Sequence, residues 1–315
     1  MSEPVCIFNP EHDLCLGNGD ANYVPPRSAL RFAADCAAIM RHIYADTIVC
    51  CTAADIKAHL PLSSHPIVAW GWNATLKRTL LKQGVRHETL PSDEAIAHIA
   101  HLQHRATLLP LLTDARAVSS SQQAAEYLKE HPNAVFKAPW SGSGRGLRWV
   151  CRSLSAQDAT WIDKIAVEQH CVLAEPRRTV LADFALEYRI ANAQLLFVGY
   201  SLFATQNGVY RYNLLWSDSH IEAHLNSLVQ AQRLATLRTQ VEQWLTNNAI
   251  PYYQGPLGVD YYIDEQGTPY ISEINFRHTM GFVAHELLAH NSHYEDKRFG
   301  IAYDTTTGGY HTCIE

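Results

Sequence analysis

One stretch near the carboxyl end of the chain, residues 258–281, constrains the fold more than any other part of the sequence. Apolar and polar residues alternate over 258–263, a turn-forming Asp-Glu-Gln-Gly follows, and the alternation resumes over 270–276. A period of two is typical of a β-strand, and two such runs joined by turn residues indicate a hairpin. We therefore expect a strand, a tight connection and a second strand.

The predicted hairpin brings two acidic side chains together. If Ile263 pairs with Tyr270, Asp260 lies directly opposite Glu273 on one face, and Asn275 follows two residues further along that face. Facing carboxylates repel each other, so they persist most easily with a hard cation between them, and Mg²⁺ is the natural choice. The alternative is a hairpin with one solvated carboxylate and no metal.

Length and composition exclude several classes of protein. The 315 residues are enough for two or three compact units, and 47% hydrophobic with 18% charged residues is typical of a soluble globular protein. The net charge is −6 and no run of Lys or Arg offsets it, which argues against a nucleic-acid partner. The eight cysteines form no C-x-x-C pair and indicate reduced thiols. With no apolar run long enough to cross a membrane and no signal peptide, we expect no membrane association and a cytoplasmic location.

The first hundred residues alternate between short apolar runs of buried-strand type and helix-like segments, which predicts a small doubly wound α/β domain. The apolar runs are 5–8, 47–51 and 66–70. A charged cluster follows the first run, and we expect it to lie in a loop at the carboxyl end of a strand, where open α/β sheets hold ligands. Its residues Glu11, His12, Asp13 and Arg27 are predicted to grip a polar substrate. A loop stabilised only by its own hydrogen bonds is the alternative.

Three longer helices are predicted from periodicity, over residues 92–109, 220–247 and 282–290. The last one contains His285-Glu-Leu-Leu-Ala-His290, which invites a zinc-protease interpretation. Its two histidines are five positions apart instead of four, so they point to different faces and do not form that zinc site. A zinc hydrolase is therefore a distant alternative.

A glycine-rich loop, PWSGSGRGLR, lies between two predicted strands. Glycines let backbone N–H groups turn towards an anion without interference from a Cβ atom, and an arginine adds positive charge, so the loop suits a polyphosphate. Lys137 precedes the loop, and residues 147–151 return as a strand instead of opening a helix. This context matches neither a Rossmann nor a Walker loop, and a protein kinase would carry its lysine on a later strand. A mobile turn without a ligand is the alternative.

The part of the chain after the glycine loop reads as strands. A strand over 172–176 contains Glu175, a following strand carries Asp183 and Glu187, and residues 195–203 and 209–215 form a hairpin around Asn207-Gly208. The predicted metal hairpin comes later in the chain.

Together these pieces resemble the ATP-grasp superfamily over residues 104–290. The resemblance rests on their order: a lysine before a Ser/Gly-rich loop, a strand with a glutamate, an acidic residue on the next strand, and Asp260 with Glu273-x-Asn275-x-Arg277. It implies an α/β (α+β) architecture, with an ATP-grasp fold that follows a Rossmann-like pre-ATP-grasp domain. The implied domains are 1–104 for the pre-ATP-grasp domain, 105–175 for the lid subdomain with the glycine-rich loop, and 176–315 for the central subdomain with the metal site.

The resemblance also implies roles at the nucleotide. Lys137 would hold the α- and β-phosphates, Glu175 and its neighbours would line the adenine through the backbone, and Glu187 would take the ribose hydroxyls, with Asp183 as a competitor. The glycine-rich loop would close over the phosphates as a lid. Its phosphate-binding residues would be Ser141, Gly142, Ser143, Gly144 and Arg145.

At the metal, the resemblance implies that Asp260, Glu273 and Asn275 ligate Mg²⁺, with Mn²⁺ as an alternative, between the β- and γ-phosphates of ATP. Arg277 would steady the transferring phosphoryl group. The family often has an earlier lysine on the helix that enters the lid, and this chain has Arg105 there. Arginine can still bind a phosphate, but its planar guanidinium forms hydrogen bonds in a different geometry from a lysine ammonium group.

The implied activity is that of an ATP-dependent carboxylate–amine ligase: a carboxylate is activated as an acyl phosphate, and an amine or another nucleophile attacks it. The implied partners are therefore a small-molecule carboxylate and an amine, and a homodimer is left open. Two other functions stay open at this point. One is an ATP-grasp kinase that releases a phosphorylated small molecule, and the other is a regulatory protein that binds ATP without chemistry.

Overall fold

The computed structural model describes residues 4–45, 47–58, 66–142, 146–206 and 208–315. The strands are β1 Val5–Ile7, β2 Ile48–Cys50, β3 Ile67–Ala69, β4 Arg116–Val118, β5 Asn133–Lys137, β6 Leu147–Cys151, β7 Val172–Pro176, β8 Val180–Ala191, β9 Gln194–Gln206, β10 Val209–Leu215, β11 Gly255–Asp264, β12 Pro269–Asn275, β13 Lys297–Asp304 and β14 Gly309–Ile314. The helices are α1 His12–Asn18, α2 Arg27–Cys36, α3 Ala53–Ala58, α4 Ala74–Lys82, α5 Asp93–Gln103, α6 Ser121–Glu130, α7 Ala156–Gln169, α8 Asp218–Leu228, α9 Ala231–Asn248 and α10 Met280–His290.

The first sheet is parallel, in the order β2-β1-β3, as the predicted alternation of strands and helices requires. Its two faces are both buried, which is usual for parallel sheets and explains the continuous apolar runs. Val5 and Ile7 pack with residues of α3 and α4 on one face. Cys6 and Phe8 pack on the other face with residues of α2 and α10. Helix α10 therefore joins the amino-terminal sheet to the carboxyl-terminal part of the chain.

The second sheet is antiparallel, in the order β4-β7-β5-β6, and α6 and α7 cover one face. Strands β5 and β6 form a hairpin in which Lys137 pairs with Leu147. The glycine-rich loop thus lies at the tip of a hairpin, as predicted from the returning strand.

The third sheet is antiparallel, in the order β12-β11-β8-β9-β10-β13-β14. Residues of α8 and α9 pack on one face of it and form the largest apolar cluster. The amino-terminal part of α10 contacts the other face, close to the predicted metal hairpin. The predicted hairpin of β9 and β10 is present, although Asn207 lies outside the described residues.

Two of the predicted long helices are broken in the structure. Helix α5 ends at Gln103 because His104 is extended, with a ψ of 116°, and its side chain accepts the N–H of Ala106 at the start of a 3₁₀ segment, Arg105–Leu111. The helix predicted over 220–247 is interrupted where Val229, with a φ of −130° and a ψ of 145°, buries its side chain in the core. His104 Nε2 also contacts the carbonyl of Gln169 at 3.1 Å, so in both cases a residue with a tertiary contact lies where a helix ends within a stretch that remains periodic.

Two further segments differ from the expectations. The cluster after β1 is not a loop, because His12 opens the short helix α1. The carboxyl-terminal hairpin of β13 and β14 was not predicted at all. Among the helices in the described part of the chain, we find none that is both long and apolar enough to span a membrane.

Candidate functional site

The hairpin of β11 and β12 places the two predicted metal-binding carboxylates opposite each other, since Asp260 pairs with Glu273. The register at the turn differs from the prediction, because Ile263 pairs with Pro269 and not with Tyr270. A β-bulge next to Asp260 inserts one extra residue into β12 and restores the predicted pairing of the acids. The position of the two carboxylates opposite each other therefore depends on the bulge as well as on the alternation.

The electrostatics of this pair favour a cation. Burial and the facing Glu273 carboxylate raise the pKa of Asp260 well above its usual range. Asn275 donates to Asp260 Oδ2 at 3.0 Å, and Gln103 in turn donates to Asn275 Oδ1 at 3.5 Å. Two partly buried carboxylates and an amide group can supply the hard oxygen donors that Mg²⁺ prefers, so the residues fit that ion.

The described residues contain no cluster of three or more His, Cys, Asp or Glu side chains that could hold a metal ion by themselves. Mg²⁺ commonly takes only one or two carboxylates from the protein and completes its shell with phosphate oxygens and water. The Asp260 and Glu273 pair is consistent with that kind of site. A zinc site built from histidines finds no support among these residues.

Lys137 and Glu175 lie side by side on adjacent strands. The Nζ atom of Lys137 is 2.9 Å from Oε1 and 3.0 Å from Oε2 of Glu175, and both side chains are about nine-tenths buried or more. Glu175 also lines a small cleft of about 30 Å³, together with Tyr262, Tyr270 and Arg178. The Arg178 guanidinium lies 4.0 Å from the centre of the Tyr270 ring. The cleft is apolar and aromatic on one wall and lies next to a buried lysine.

The root of the glycine-rich loop is well defined, whereas Ser143, Gly144 and Arg145 lie outside the described residues. Ser141 accepts hydrogen bonds from Arg105 at both its hydroxyl and its carbonyl oxygen. Gly142 packs against Asp13, because a Cβ atom at Gly142 would lie 2.5 Å from Asp13 Oδ2. A side chain at 142 would therefore force the Asp13 carboxylate to shift.

The two acidic residues of β8 have different surroundings. Asp183 pairs with Tyr262, a residue of the cleft, and accepts a hydrogen bond from Thr205 at 2.7 Å. Glu187 is fully buried further along β8 and accepts from Thr279, the N-cap of α10, at 2.8 Å. Burial raises the pKa of Asp183, and burial raises the pKa of Glu187 to about 7. Asp183 thus lies on the cleft side, and Glu187 lies beneath the start of α10.

The amino-terminal cluster reaches the metal hairpin through Asp13. Asp13 Oδ2 accepts from Arg277 Nη2 at 3.1 Å. Burial opposes ionisation of Asp13, but the guanidinium of Arg277 overcomes it and lowers the pKa of the carboxyl below its usual value. Arg277 also donates to the backbone of His278, just beyond the end of β12. An acidic residue of α1 and a basic residue of the hairpin therefore meet.

The other residues of the amino-terminal cluster do not all lie at the contact between Asp13 and Arg277. The His12 ring lies against Gly71 and within 3.1 Å of Asn73, and burial lowers its pKa to about 4. Burial raises the pKa of Glu11 to about 7. Arg27 is exposed at the first residue of α2. Of the four predicted substrate residues, only Asp13 has a direct contact with the hairpin in the described structure.

Some residues of the site were not identified from the sequence. Gln103 orients Asn275 and accepts the N–H of Phe276 at 2.7 Å. No motif marks it, since its partners are more than 170 residues away. Tyr262 and Tyr270 could have been found, because they pair across the hairpin and the alternation places Tyr262 on the same face as Asp260.

Comparison with known proteins identifies the fold. No family model matches the sequence, and no curated protein matches it. The biotin carboxylase-beta-gamma-ATP complex from Campylobacter jejuni superimposes with a TM-score of 0.56 at 14% identity, over 91% of this chain and 68% of the other. N5-carboxyaminoimidazole synthetase from Staphylococcus aureus superimposes with a TM-score of 0.50 at 15% identity, over 92% and 77%. The ADP complex of PurK, N5-carboxyaminoimidazole ribonucleotide synthetase, gives 0.50 at 14% identity, over 89% and 71%. These structures are of ATP-grasp enzymes, and this chain has the ATP-grasp fold.

Proposed function

We propose that the protein is an ATP- and Mg²⁺-dependent ligase that activates a carboxylate as an acyl phosphate for attack by an amine or another nucleophile. The observation that carries the proposal is the partly buried, face-to-face pair of Asp260 and Glu273 with Asn275 beside it. The fold adds support, because two of the similar structures are named as complexes with ADP or β,γ-ATP.

The metal would be held by Asp260, Glu273 and Asn275, and Mn²⁺ is an alternative to Mg²⁺. When bound, such an ion offsets negative charge on the β- and γ-phosphates. The chain's own contribution is to hold the two carboxylates opposite each other on one hairpin. The Asn275 amide donates to Asp260 and its oxygen accepts from Gln103, so this amide would have to turn to ligate the ion.

We place the nucleotide across the cleft and the loop. Lys137 would contact the α- and β-phosphates, and the backbone near Glu175 would meet the base, because the Glu175 carboxylate is occupied by Lys137. Of the two candidates for the ribose, the position of Asp183 beside Tyr262 favours Asp183 over Glu187. The loop would cover the phosphates with the residues predicted from the sequence, Ser141, Gly142, Ser143, Gly144 and Arg145.

We place the acid substrate between Arg277 and the amino-terminal cluster. An oxygen of the substrate carboxylate would attack the γ-phosphorus, the bond to the β-phosphate oxygen would break, and ADP would leave. The nucleophile's nitrogen would then attack the acyl carbon, lose a proton, and release inorganic phosphate. Arg277 would stabilise the negative charge that develops on the acyl oxygen, and Asp13, with Glu11 and His12 nearby, would shape the pocket. The loop would keep water from the acyl phosphate.

The three-domain division also remains a proposal. The ranges 1–104, 105–175 and 176–315 each contain one of the three sheets, except that Pro176 at the end of β7 falls in the third range. This agreement supports the boundaries that the resemblance implies.

Calorimetry with the non-hydrolysable analogue adenylyl imidodiphosphate, with and without Mg²⁺, tests the proposal. The wild type should bind more tightly with Mg²⁺, and Glu273→Gln should lose most of that gain because the ion loses a charged ligand. Glu265→Gln, at an exposed position of the same hairpin, is the matched control. Absence of binding under every condition would refute the nucleotide site.

The products then separate the remaining alternatives. Once binding is established, acids and amines are screened for ADP release, and the products are identified by mass spectrometry. An amide supports the ligase. A phosphorylated product without an amide supports a kinase. Nucleotide binding of the same strength in wild type and Glu273→Gln, without ADP release in any mixture, supports a regulatory ATP-binding protein.

A further inference from the structure

Arg105 connects two parts of the site that are far apart in the sequence. Its side chain is about nine-tenths buried. Nη1 donates to the carbonyl of Ala138 at 2.6 Å and to Ser141 Oγ at 2.6 Å. Nη2 donates to the carbonyl of Ser141 at 2.9 Å and to the carboxylate of Glu273. The guanidinium therefore joins the root of the glycine-rich loop to the metal hairpin.

These contacts use the donors that a phosphate would need. A guanidinium has five N–H groups, and four of them are on the two terminal nitrogens. Among the described residues, Arg105 directs those nitrogens at four acceptors on Ala138, Ser141 and Glu273. Lys137 differs, because its ammonium group is compact and meets a single carboxylate. Of Lys137 and Arg105, Lys137 suits a phosphate better and Arg105 is already committed to protein acceptors.

The charge of Arg105 also matters at the metal pair. Two buried carboxylates that face each other repel unless positive charge is near both of them. Arg105 contacts Glu273, whereas Asp260 receives only the neutral amide of Asn275 among its described hydrogen bonds. Glu273 therefore has a cation in direct contact, whereas Arg277 acts on Asp260 without a hydrogen bond between them among the described contacts.

We propose that Arg105 is a positioning residue of the metal site: it fixes the Glu273 carboxylate from behind and ties it to the loop root, and it does not bind the phosphates. This inference rests on the proposed function. It assigns a different role to Arg105 from the one that the resemblance implies for the position. A partner that orients a metal ligand in this way typically contributes about 10- to 100-fold to metal affinity.

The test measures metal and nucleotide separately in Arg105→Met and Arg105→Lys. Mn²⁺ binding in the presence of adenylyl imidodiphosphate is followed by electron paramagnetic resonance, and binding of the nucleotide alone is measured by calorimetry in EDTA. We expect Arg105→Met to weaken Mn²⁺ binding about 10- to 100-fold, to change the Mn²⁺ line shape, and to leave nucleotide affinity in EDTA within about twofold of the wild type. Arg105→Lys keeps the positive charge but loses the planar guanidinium, so its loss of Mn²⁺ affinity should be smaller than that of Arg105→Met.

Arg238→Met is the matched control, because it removes another Arg–Glu pair, to Glu242 at 2.7 Å within α9. It should leave both affinities unchanged. If Arg105→Met does not fold, as judged by circular dichroism, Arg105→Lys gives the answer by the same two measurements.

Three results would overturn the inference. A loss of nucleotide affinity in EDTA would show that Arg105 binds phosphate. Unchanged Mn²⁺ affinity would show that Glu273 does not depend on Arg105, and tighter Mn²⁺ binding would show that the arginine competes with the ion. In each of these cases the proposed function stands, provided that the wild type binds Mn²⁺ with the nucleotide. If the wild type binds neither, the proposed function and the inference both fail.

Discussion

Glu187 makes the stability of this protein depend on pH in a way that a single substitution can isolate. Its carboxyl is fully buried beneath α10 and accepts a hydrogen bond from Thr279. Burial raises its pKa from 4.5 to about 7, and the hydrogen bond from Thr279 only partly opposes this. The folded protein therefore holds this proton more tightly than the unfolded chain does. The resulting stabilisation is complete below pH 4.5 and is lost as the pH rises through about 7.

The size of the effect follows from the two pKa values. Their difference is worth about 3 kcal/mol, at about 1.36 kcal/mol per pH unit. With both titrations included, about 1 kcal/mol of this is lost by pH 5 and about 3 kcal/mol by pH 8. Glutamine has the same shape, can accept from Thr279 and does not titrate. The free energy of unfolding of Glu187→Gln, relative to the wild type, should therefore rise by about 2.5 kcal/mol between pH 5 and pH 8.

Urea denaturation of both proteins at pH 5, 6, 7 and 8 measures this difference. Glu265→Gln makes the same chemical change at an exposed position and serves as the control. A difference between Glu187→Gln and the wild type that stays constant across these four pH values would refute the reasoning, because it would mean that Glu187 titrates alike in the folded and unfolded chain.

Two further predictions concern packing. Gly281→Ala, near the start of α10, should lower the free energy of unfolding by about 1–3 kcal/mol. The reason is that the new Cβ would lie 2.8 Å from Ser201 Cβ and closer still to the Glu187 carboxylate. Alanine's helix propensity alone would raise the melting temperature, so a higher melting temperature in this variant would contradict the prediction. Asn9→Ala removes the reciprocal hydrogen bonds, 2.8 and 3.3 Å long, that join the end of β1 to Gly71 after β3, and should cost about 1–3 kcal/mol by chemical denaturation. If Asn9→Ala changes the free energy of unfolding by less than about 0.5 kcal/mol, these hydrogen bonds do not contribute to stability.

The metal hairpin was largely predictable because it is local. Alternation with a period of two decides which face a side chain takes, so Asp260, Glu273 and Asn275 could be placed on one face from the sequence. The bulge could not be predicted, because the extra residue in β12 leaves no mark on the alternation. The predicted turn register was wrong by one residue, and the predicted carboxylate pair was right.

The ends of helices were predicted less well, for a related reason. Periodicity reports which residues of a helix face the core, and it does not report where one residue leaves the helix to make a tertiary contact. His104 contacts the carbonyl of Gln169 and Val229 packs in the core, and each lies at the end of a helix within a stretch that remains periodic. The start of α1 was missed because its seven residues are too few for periodicity to be recognised.

The partners of the charged residues were the least predictable part of the site. Lys137 and its partner Glu175 are 38 residues apart, whereas Arg105 is 168 residues from Glu273 and Arg277 is 264 residues from Asp13. Sequence order can indicate that such residues belong to one site. Which carboxylate each cation meets depends on how the three sheets pack, and no local pattern records it.

These pairings affect how variants of the site should be designed. Arg105, Lys137 and Arg277 are each largely buried against a carboxylate of the chain itself. Removing one member of a buried ion pair leaves the other charge uncompensated and typically costs about 3–5 kcal/mol. A single Lys137→Ala variant would thus be destabilised by the uncompensated Glu175 charge even if Lys137 never touched a phosphate. Removing both charges together, as in Lys137→Met with Glu175→Gln, avoids that cost, so any loss of nucleotide affinity that remains can be assigned to the missing cation.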